Sequence, residues 1–470
     1  MRFTIIAPAA VTSCHGIGGI SMRQFYDTFM KKAPAKREMK RIKYPYGFMF
    51  IIIASRFCLR GITMRIIHTA DWHLGQFFYT KSRAAEHQAF LDWLLEQAET
   101  QQADAIIVAG DIFDNGSPPS YARELYNRFV VKLLTTGCQL VVLGGNHDSV
   151  AMLNESRELL ACLNTRVIAA ADEDIRQQVL VLNRRDGQPG ALLCAIPFLR
   201  PRDILRSQSG QSGREKQQSL LEAISDHYQR CWQEALAQRD ALGLPLPIIA
   251  TGHLTTMGVT KSDAVRDIYI GTLDAFPADG FPPADYIALG HIHRAQRIAD
   301  CDHIRYSGSP IPLSFDELGK AKSVMRVDFY AGKLAGVTEL PIPLFQPMQM
   351  IKGSLEQIER QLAQLKPDAR GKTIWLDIEI VTDAYLSEPQ RRIEELTAAL
   401  PVEVVLLRRS REQREQVIAR QQNETLSELS VEEVFARRLA SAPNQPERPE
   451  RISALFAQTL EAVRHEEQPL

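Results

Sequence analysis

An α/β fold with a mainly parallel sheet is expected from three features of the 470-residue chain. Short apolar runs of buried-strand length recur, each ending in glycine or a small residue and then in a metal-competent side chain. Helix-like stretches separate the first three runs, the strand–helix alternation of a parallel sheet with helices on its faces. The ligand-competent residues all follow strand ends, the edge at which such sheets bind ligands. In order, Arg65–Ala70 leads to Asp71 and His73, Ala105–Gly110 to Asp111 and Asp114, and Leu140–Gly145 to Asn146, His147 and Asp148. Ile248–Gly252 then leads to His253, and Tyr286–Gly290 to His291 and His293. The intervening helices are expected over 83–101, with Phe90, Leu91, Leu94 and Leu95 on one face, and over 121–135.

Asp, His and Asn without Cys form a hard, imidazole-containing donor set that suits Mn, Fe or Zn better than a thiolate site. Seven candidate ligands exceed the need of one open site, so two ions are expected, with a carboxylate such as Asp111 able to bridge them. Paired divalent ions are the chemistry of phosphate-ester hydrolysis. Each short motif is common when met alone. All five in order, each at a strand end, are not.

Composition narrows the setting. With 45% hydrophobic and 24% charged residues, the chain is neither disordered nor collagen-like and is long enough for several domains. Its net charge of -1 is a poor average. Residues 1–63 carry 11 Lys+Arg against Asp27 and Glu38, whereas 64–470 is net acidic by ten charges. The basic, then apolar, order within 1–63 loosely resembles a signal peptide, but it starts too deep and lacks a small-residue cleavage site. It is read as an extension ahead of a folded unit that opens at Met64. Seven scattered cysteines without a CxxC pair read as reduced thiols of a cytoplasmic protein. The longest strongly apolar run, Phe48–Ala54, is far too short to span a bilayer.

The five motifs, together with the runs His68–Gly75, Gly110–Asp114, Tyr286–Gln296 and Tyr306–Pro310, resemble the calcineurin-like metallophosphoesterases. Within these they resemble the nuclease subunits of double-strand-break repair complexes. The resemblance covers about 64–470 and implies a metallophosphoesterase β-sandwich flanked by helices, with a small α/β capping domain and C-terminal partner-binding helices. It places one ion on Asp71, His73, Asp111 and His293, and the other on Asp111, Asn146, His253 and His291. It makes His147 the catalytic imidazole and Asp148 its orienting carboxylate. Asp114 stands where relatives outside bacteria carry His, so placing the substrate phosphate and capping the following turn are both open to it.

The implied reaction is phosphodiester hydrolysis on DNA: 3′-to-5′ double-strand exonuclease and single-strand or hairpin endonuclease activity, with two divalent ions, most simply Mn²⁺. The implied partners are DNA and an ATPase subunit, the chain being a homodimer within a heterotetramer. The chain itself has no phosphate-binding Walker loop.

The implied domains are 64–340 for the nuclease, 341–409 for the capping domain and 410–470 for a linker and partner helices. A proline-rich joint at Pro341–Pro347 marks the first boundary. Strands are expected over 348–352, 374–381 and 402–408, and helices over 355–365 and 389–400. Leu426, Leu429, Val434 and Phe435 form one amphipathic face, and Ile452, Leu455, Phe456, Leu460 and Val463 a second. The basic segment Arg200, Arg202, Arg206, Arg214 and Lys216 could track phosphates or be a solvated loop. Two other readings stand beside the nuclease. One is a metallophosphoesterase acting on small phosphodiesters or phosphoproteins, and the other a non-catalytic scaffold of that fold.

Overall fold

The computed structural model describes residues 63–205, 212–262, 265, 275–381, 389–409, 435, 439 and 449–466. The extension 1–62 and Arg206 lie outside the described residues, as do Leu426, Leu429 and Val434.

The strands form two six-stranded sheets, where the strand pattern alone suggested one. The first holds β1 (Thr63–Thr69), β4 (Ala105–Val108), β5 (Gln139–Leu143), β6 (Thr165–Ile168), β13 (Ser323–Tyr330) and β14 (Lys333–Pro341), in the order β14-β13-β1-β4-β5-β6. Strands β1, β4, β5 and β6 run parallel, and β13 closes against β1 antiparallel. The second holds β7 (Val179–Asn183), β8 (Pro189–Cys194), β9 (Ile248–His253), β10 (Tyr286–Gly290), β11 (Gln296–Ile298) and β12 (Cys301–Tyr306), in the order β11-β12-β10-β9-β8-β7. Its central strands β8, β9, β10 and β12 are parallel. A two-stranded hairpin, β2 (Phe77–Phe78) with β3 (Lys81–Ser82), follows the first ligand loop.

The period of two along each strand explains the layering. In β4, Ala105 and Ile107 face the core between the sheets, while Ile106 and Val108 face the helices α1 (Ala84–Thr100) and α2 (Ser120–Leu134). In β10, Tyr286 and Ala288 face the inter-sheet core and Ile287 and Leu289 the outer one. That outer core is closed by the 30-residue helix α3 (Gly213–Leu242), which opens on a capping box between Ser212 and Glu215. Both faces of each central strand are covered, which is why the runs read as continuously apolar rather than alternating. A second sheet on the far side of the first does the same work as a layer of helices, so the pattern could not tell them apart.

Beyond β14 lies a small parallel sheet in the order β15-β16-β17, with β15 (Met348–Gly353), β16 (Ile374–Ile380) and β17 (Val402–Arg409). Helices α4 (Leu355–Ala363) and α5 (Pro389–Thr397) are its crossovers, and Ile351, Ile358, Leu376, Ile378 and Ile393 form its own core. A separate cluster of Phe78, Phe315, Met348 and Trp375 joins this unit to the sandwich, with Trp375 stacked on Phe78 at 5.8 Å between ring centroids. Lys81 of the hairpin pairs with Glu403 across the same seam. The hairpin thus stands between the loop carrying Asp71 and His73 and the small α/β unit. Finally, helix α6 (Pro449–Glu466) exposes Ile452 and Leu455, and Phe456 stacks on Phe435 at 3.7 Å. No helix among the described residues is long and apolar enough to cross a membrane.

Candidate metal centre

The two sheets bring their ligand-bearing ends to one place. Asp71 and His73 follow β1, Asp111 follows β4 and Asn146 follows β5, all from the first sheet. His253 ends β9 and His291 and His293 follow β10, all from the second. Two groups of side-chain donors result, Asp71 with His73 and His293, and Asp111 with His253 and His291. Within each, the donor atoms lie within 4.8 Å of one another. Asn146 joins the second group, its Oδ1 lying 2.9 Å from His253 Nε2. A third group links His73 and Asp111 to His147.

The loops that carry these residues cross-link. Asp71 N–H donates to Gly110 O at 3.0 Å and His73 N–H to Asp111 O at 3.0 Å, while His291 N–H donates to Asp71 Oδ1 at 2.8 Å across the inter-sheet gap. His147 N–H donates to Asp111 Oδ1 at 2.9 Å. Asp71, His73, Asp111 and His291 all adopt positive φ, at 54°, 45°, 53° and 92°. Non-glycine residues rarely do so, and the cross-links hold that strained backbone in place. Two glycines supply the room. A Cβ on Gly110 would sit 2.2 Å from His253 Nδ1, and one on Gly145 would sit 2.1 Å from Asp111 Oδ1.

The protonation pattern fits a cation. Ala109 O, 2.8 Å from His253 Nδ1, can only accept, so that nitrogen carries a proton whatever the charge of the ring, and Nε2 is the nitrogen that a cation would engage in place of a proton. His253 Nε2 lies 3.2 Å from Asp111 Oδ2. Asp114 Oδ1, 3.3 Å from His73 Nδ1, imposes the same tautomer, leaving His73 Nε2 3.6 Å from the same Asp111 oxygen. Asp71 Oδ2, His73 Nε2 and His291 Nε2 are buried without a hydrogen-bond partner. Buried polar atoms are normally satisfied, so acceptors and lone pairs converging on one space mark a site for a positive ion. Burial raises the carboxyl of Asp71 above its ordinary range. Burial opposes ionisation of Asp111 too, but the adjoining imidazoles of His253 and His73 outweigh it and hold its carboxyl well below that range. Burial resists charge on His253, yet Asp111 raises it to about 9, while burial and His253 push His291 well down.

His147 lies half-buried at the edge of the centre, its ring packed edge-on against His73 at 4.7 Å. Its Nδ1 donates to Asp114 O at 2.7 Å. The role expected for Asp148 is different from its contacts. Its carboxylate accepts from the N–H groups of Gly145 at 2.9 Å, Ile112 at 3.1 Å and Phe113 at 3.0 Å, and makes no hydrogen bond to His147. Asp148 therefore ties the β4 and β5 loops together, and the oxygen that orients the His147 ring is the Asp114 carbonyl. Burial and the nearby charge of Asp111 raise Asp148 to about 6 against the pull of those three donors.

Three supports were not visible as chemistry in the sequence. Glu317 Oε1 sits 3.3 Å from His293 Nδ1. Lys322 Nζ pairs with Glu317 at 2.5 Å, and donates to His293 O at 2.9 Å and Ser309 Oγ at 2.8 Å. Tyr306 O–H donates to Leu254 O at 2.5 Å, pinning the chain just after His253. The run Tyr306–Pro310 signalled these last two contacts without showing what they were for; Glu317 had no local signal. Between the sheets, burial holds His68 neutral, down at about 3, with Nε2 donating to Leu289 O at 3.1 Å and Nδ1 accepting from Tyr286 O–H at 3.0 Å. Of the basic segment, Arg200 lies over the Phe198 ring and donates to Asp148 O at 3.2 Å, beside the β5 loop.

Comparison with known proteins finds relatives over most of the chain. Residues 64–295 match the calcineurin-like phosphoesterase family, and residues 344–442 match a family described as the type 5 capsule protein repressor C-terminal domain. The chain is 64% identical over 400 residues to the SbcD subunit of nuclease SbcCD from Escherichia coli K12, covering 85% of this chain and 98% of the relative. The corresponding subunit of Rhodobacter capsulatus is 34% identical, over 72% of this chain and 83% of the relative. That of Bacillus subtilis is 32% identical, over 69% and 81%.

Proposed function

This chain belongs to the family of SbcD subunits of SbcCD nucleases, built on a calcineurin-like phosphoesterase domain, and from that premise we propose that it hydrolyses DNA phosphodiesters with two divalent ions held between its sheets. The reading is carried by the convergence of Asp71, His73, Asp111, Asn146, His253, His291 and His293 from both sheets, with unpaired donor atoms facing one another. In this reading Asp71, His73, Asp111 and His293 hold one ion, and Asp111, Asn146, His253 and His291 the other, with Mn²⁺ as the occupant. Such a pair polarises phosphoryl oxygens and lowers the pKa of water.

The chain's own residues do the rest. Asp114 O fixes the His147 proton on Nδ1 in both charge states, so the exchangeable proton sits on Nε2, available to the phosphoryl or departing oxygen. Asp148 holds the two loops in register beneath it. Arg200 places a cation beside the same loop, where a neighbouring phosphate would lie. The substrate positions implied are 3′ ends of duplexes, single strands and hairpins. An SbcC-type ATPase subunit is the partner, bound by the helices of 410–470, and two copies of the chain enter a heterotetramer. The small α/β unit of 341–409 restricts entry to the centre.

The purified chain, stripped with a chelator, is expected to leave DNA intact, and to cleave it once Mn²⁺ is restored. Cleavage of an aryl phosphodiester with none of DNA, at any Mn²⁺ concentration and with the ATPase subunit present, would establish the small-phosphodiester reading instead. A chain that hydrolyses neither would be the scaffold. Separately, deletion of 410–470 is expected to abolish co-purification with the ATPase subunit, and intact co-purification would remove that segment from the interface.

A further inference from the structure

The metal ligands and His147 account for most of the polar groups at the centre, but not for the Asp114 carboxylate and its consequence for ion binding. We infer that Asp114 is a positioning residue whose carboxylate fixes the tautomer of the metal ligand His73 and thereby the affinity of the site for its ion, on the same residue whose carbonyl already holds the His147 ring. The inference rests on the two-ion reading above.

Both contacts are to ring Nδ1, at 3.3 Å for His73 and 2.7 Å for His147, and both partners on Asp114 are oxygens that accept. Each imidazole is therefore protonated at Nδ1 and turned so that Nε2 faces the centre. For His73 that buried Nε2 is one of the orphaned donor atoms. The two rings stack edge to face at 4.7 Å, so a single residue fixes a ligand and the adjacent proton carrier as a pair. Asp114 is itself anchored, its N–H donating to Leu74 O at 3.2 Å. The two functions open to it from sequence fit less well. A carboxylate repels a phosphodiester, and Asn115 Oδ1 accepts from Ser117 N–H at 3.0 Å, so Asn115 caps the following turn. Carboxylates that hold the outer nitrogen of a ligating histidine raise metal affinity by fixing the ring and its basicity.

Uptake of Mn²⁺ by the full chain, followed by the electron paramagnetic resonance signal of the free ion, tests this without relying on activity. Wild type is expected to take up two ions. Asp114→Ala is expected to weaken one of the two uptake steps by about 10–100-fold. Asp114→Asn keeps an oxygen at the same place and is expected to stay close to wild type. At saturating Mn²⁺, Asp114→Ala should regain most of its DNA cleavage, because the carbonyl that holds His147 remains. Wild-type uptake by Asp114→Ala overturns the inference while leaving the two-ion reading intact, and so does Asp114→Asn binding as weakly as Asp114→Ala. A wild-type chain that takes up no Mn²⁺ overturns both.

Discussion

His147→Ala is expected to lower Mn²⁺-dependent DNA cleavage by about 10²–10⁴-fold, the range typical of removing a positioned general acid or base. Uptake of Mn²⁺ should be nearly unchanged. The contact that links this residue to the bridging carboxylate is made by its backbone N–H, at 2.9 Å from Asp111 Oδ1, and alanine keeps it. What is lost is the ring between Asp114 O and the centre, with its exchangeable Nε2 proton. Single-turnover cleavage and metal uptake, measured on the same preparation, separate the outcomes. Undiminished cleavage would remove His147 from the reaction. Loss of one ion along with cleavage would make it a ligand, as its grouping with His73 and Asp111 also allows in distance.

The second large effect is on stability. Lys322→Met is expected to destabilise the fold by about 3–5 kcal/mol, the cost of stranding one member of a buried ion pair. The Glu317 side chain is fully buried and that of Lys322 is 11% exposed. Burial opposes ionisation of Glu317, but Lys322 and His293 hold its carboxyl far below the ordinary range. Without the ammonium, that carboxylate keeps only hydroxyls, the Leu313 N–H and the His293 ring around it. Replacing both partners, Glu317→Gln with Lys322→Met, should recover much of the loss, since no buried charge is left unpaired. Chemical denaturation of the two variants decides this. A single variant as stable as wild type, or a double variant less stable than the single, would show that the pair does not carry the loop.

The metal-competent residues were legible because strand ends are legible. An apolar run that stops at glycine and resumes with Asp, Asn or His states both where the strand ends and what the loop carries. Strands β15, β16 and β17 and their crossover helices were legible for the same reason, each being a short run with its own period. The division of the strands between two sheets was not, because a strand covered by helices and a strand covered by another sheet bury the same residues. The family resemblance assigns Asp148 to His147, whereas its carboxylate turns toward Gly145, Ile112 and Phe113. Glu317 and Lys322 were missed because their partners, His293 and Ser309, are brought to them by loop packing that no periodicity encodes.

The first ligand strand has a further consequence through its neighbours. Strand β1, which delivers Asp71 and His73, lies between β4 and β13, and its pairing runs from Thr63 with Tyr330 to His68 with Met325. One flank of β1 is thus supplied by a segment made some 260 residues later. Contacts of such long sequence separation close late, after the loop entropy between them has been met. During synthesis, Asp71 leaves the ribosome long before His291 and His293, and before the strand that locks its own sheet. A nascent chain therefore holds half of the donor set on an unfinished sheet edge. The donor set of the candidate metal centre is complete only when nearly the whole domain has emerged, so the sheet topology ties assembly of the site to completion of the fold.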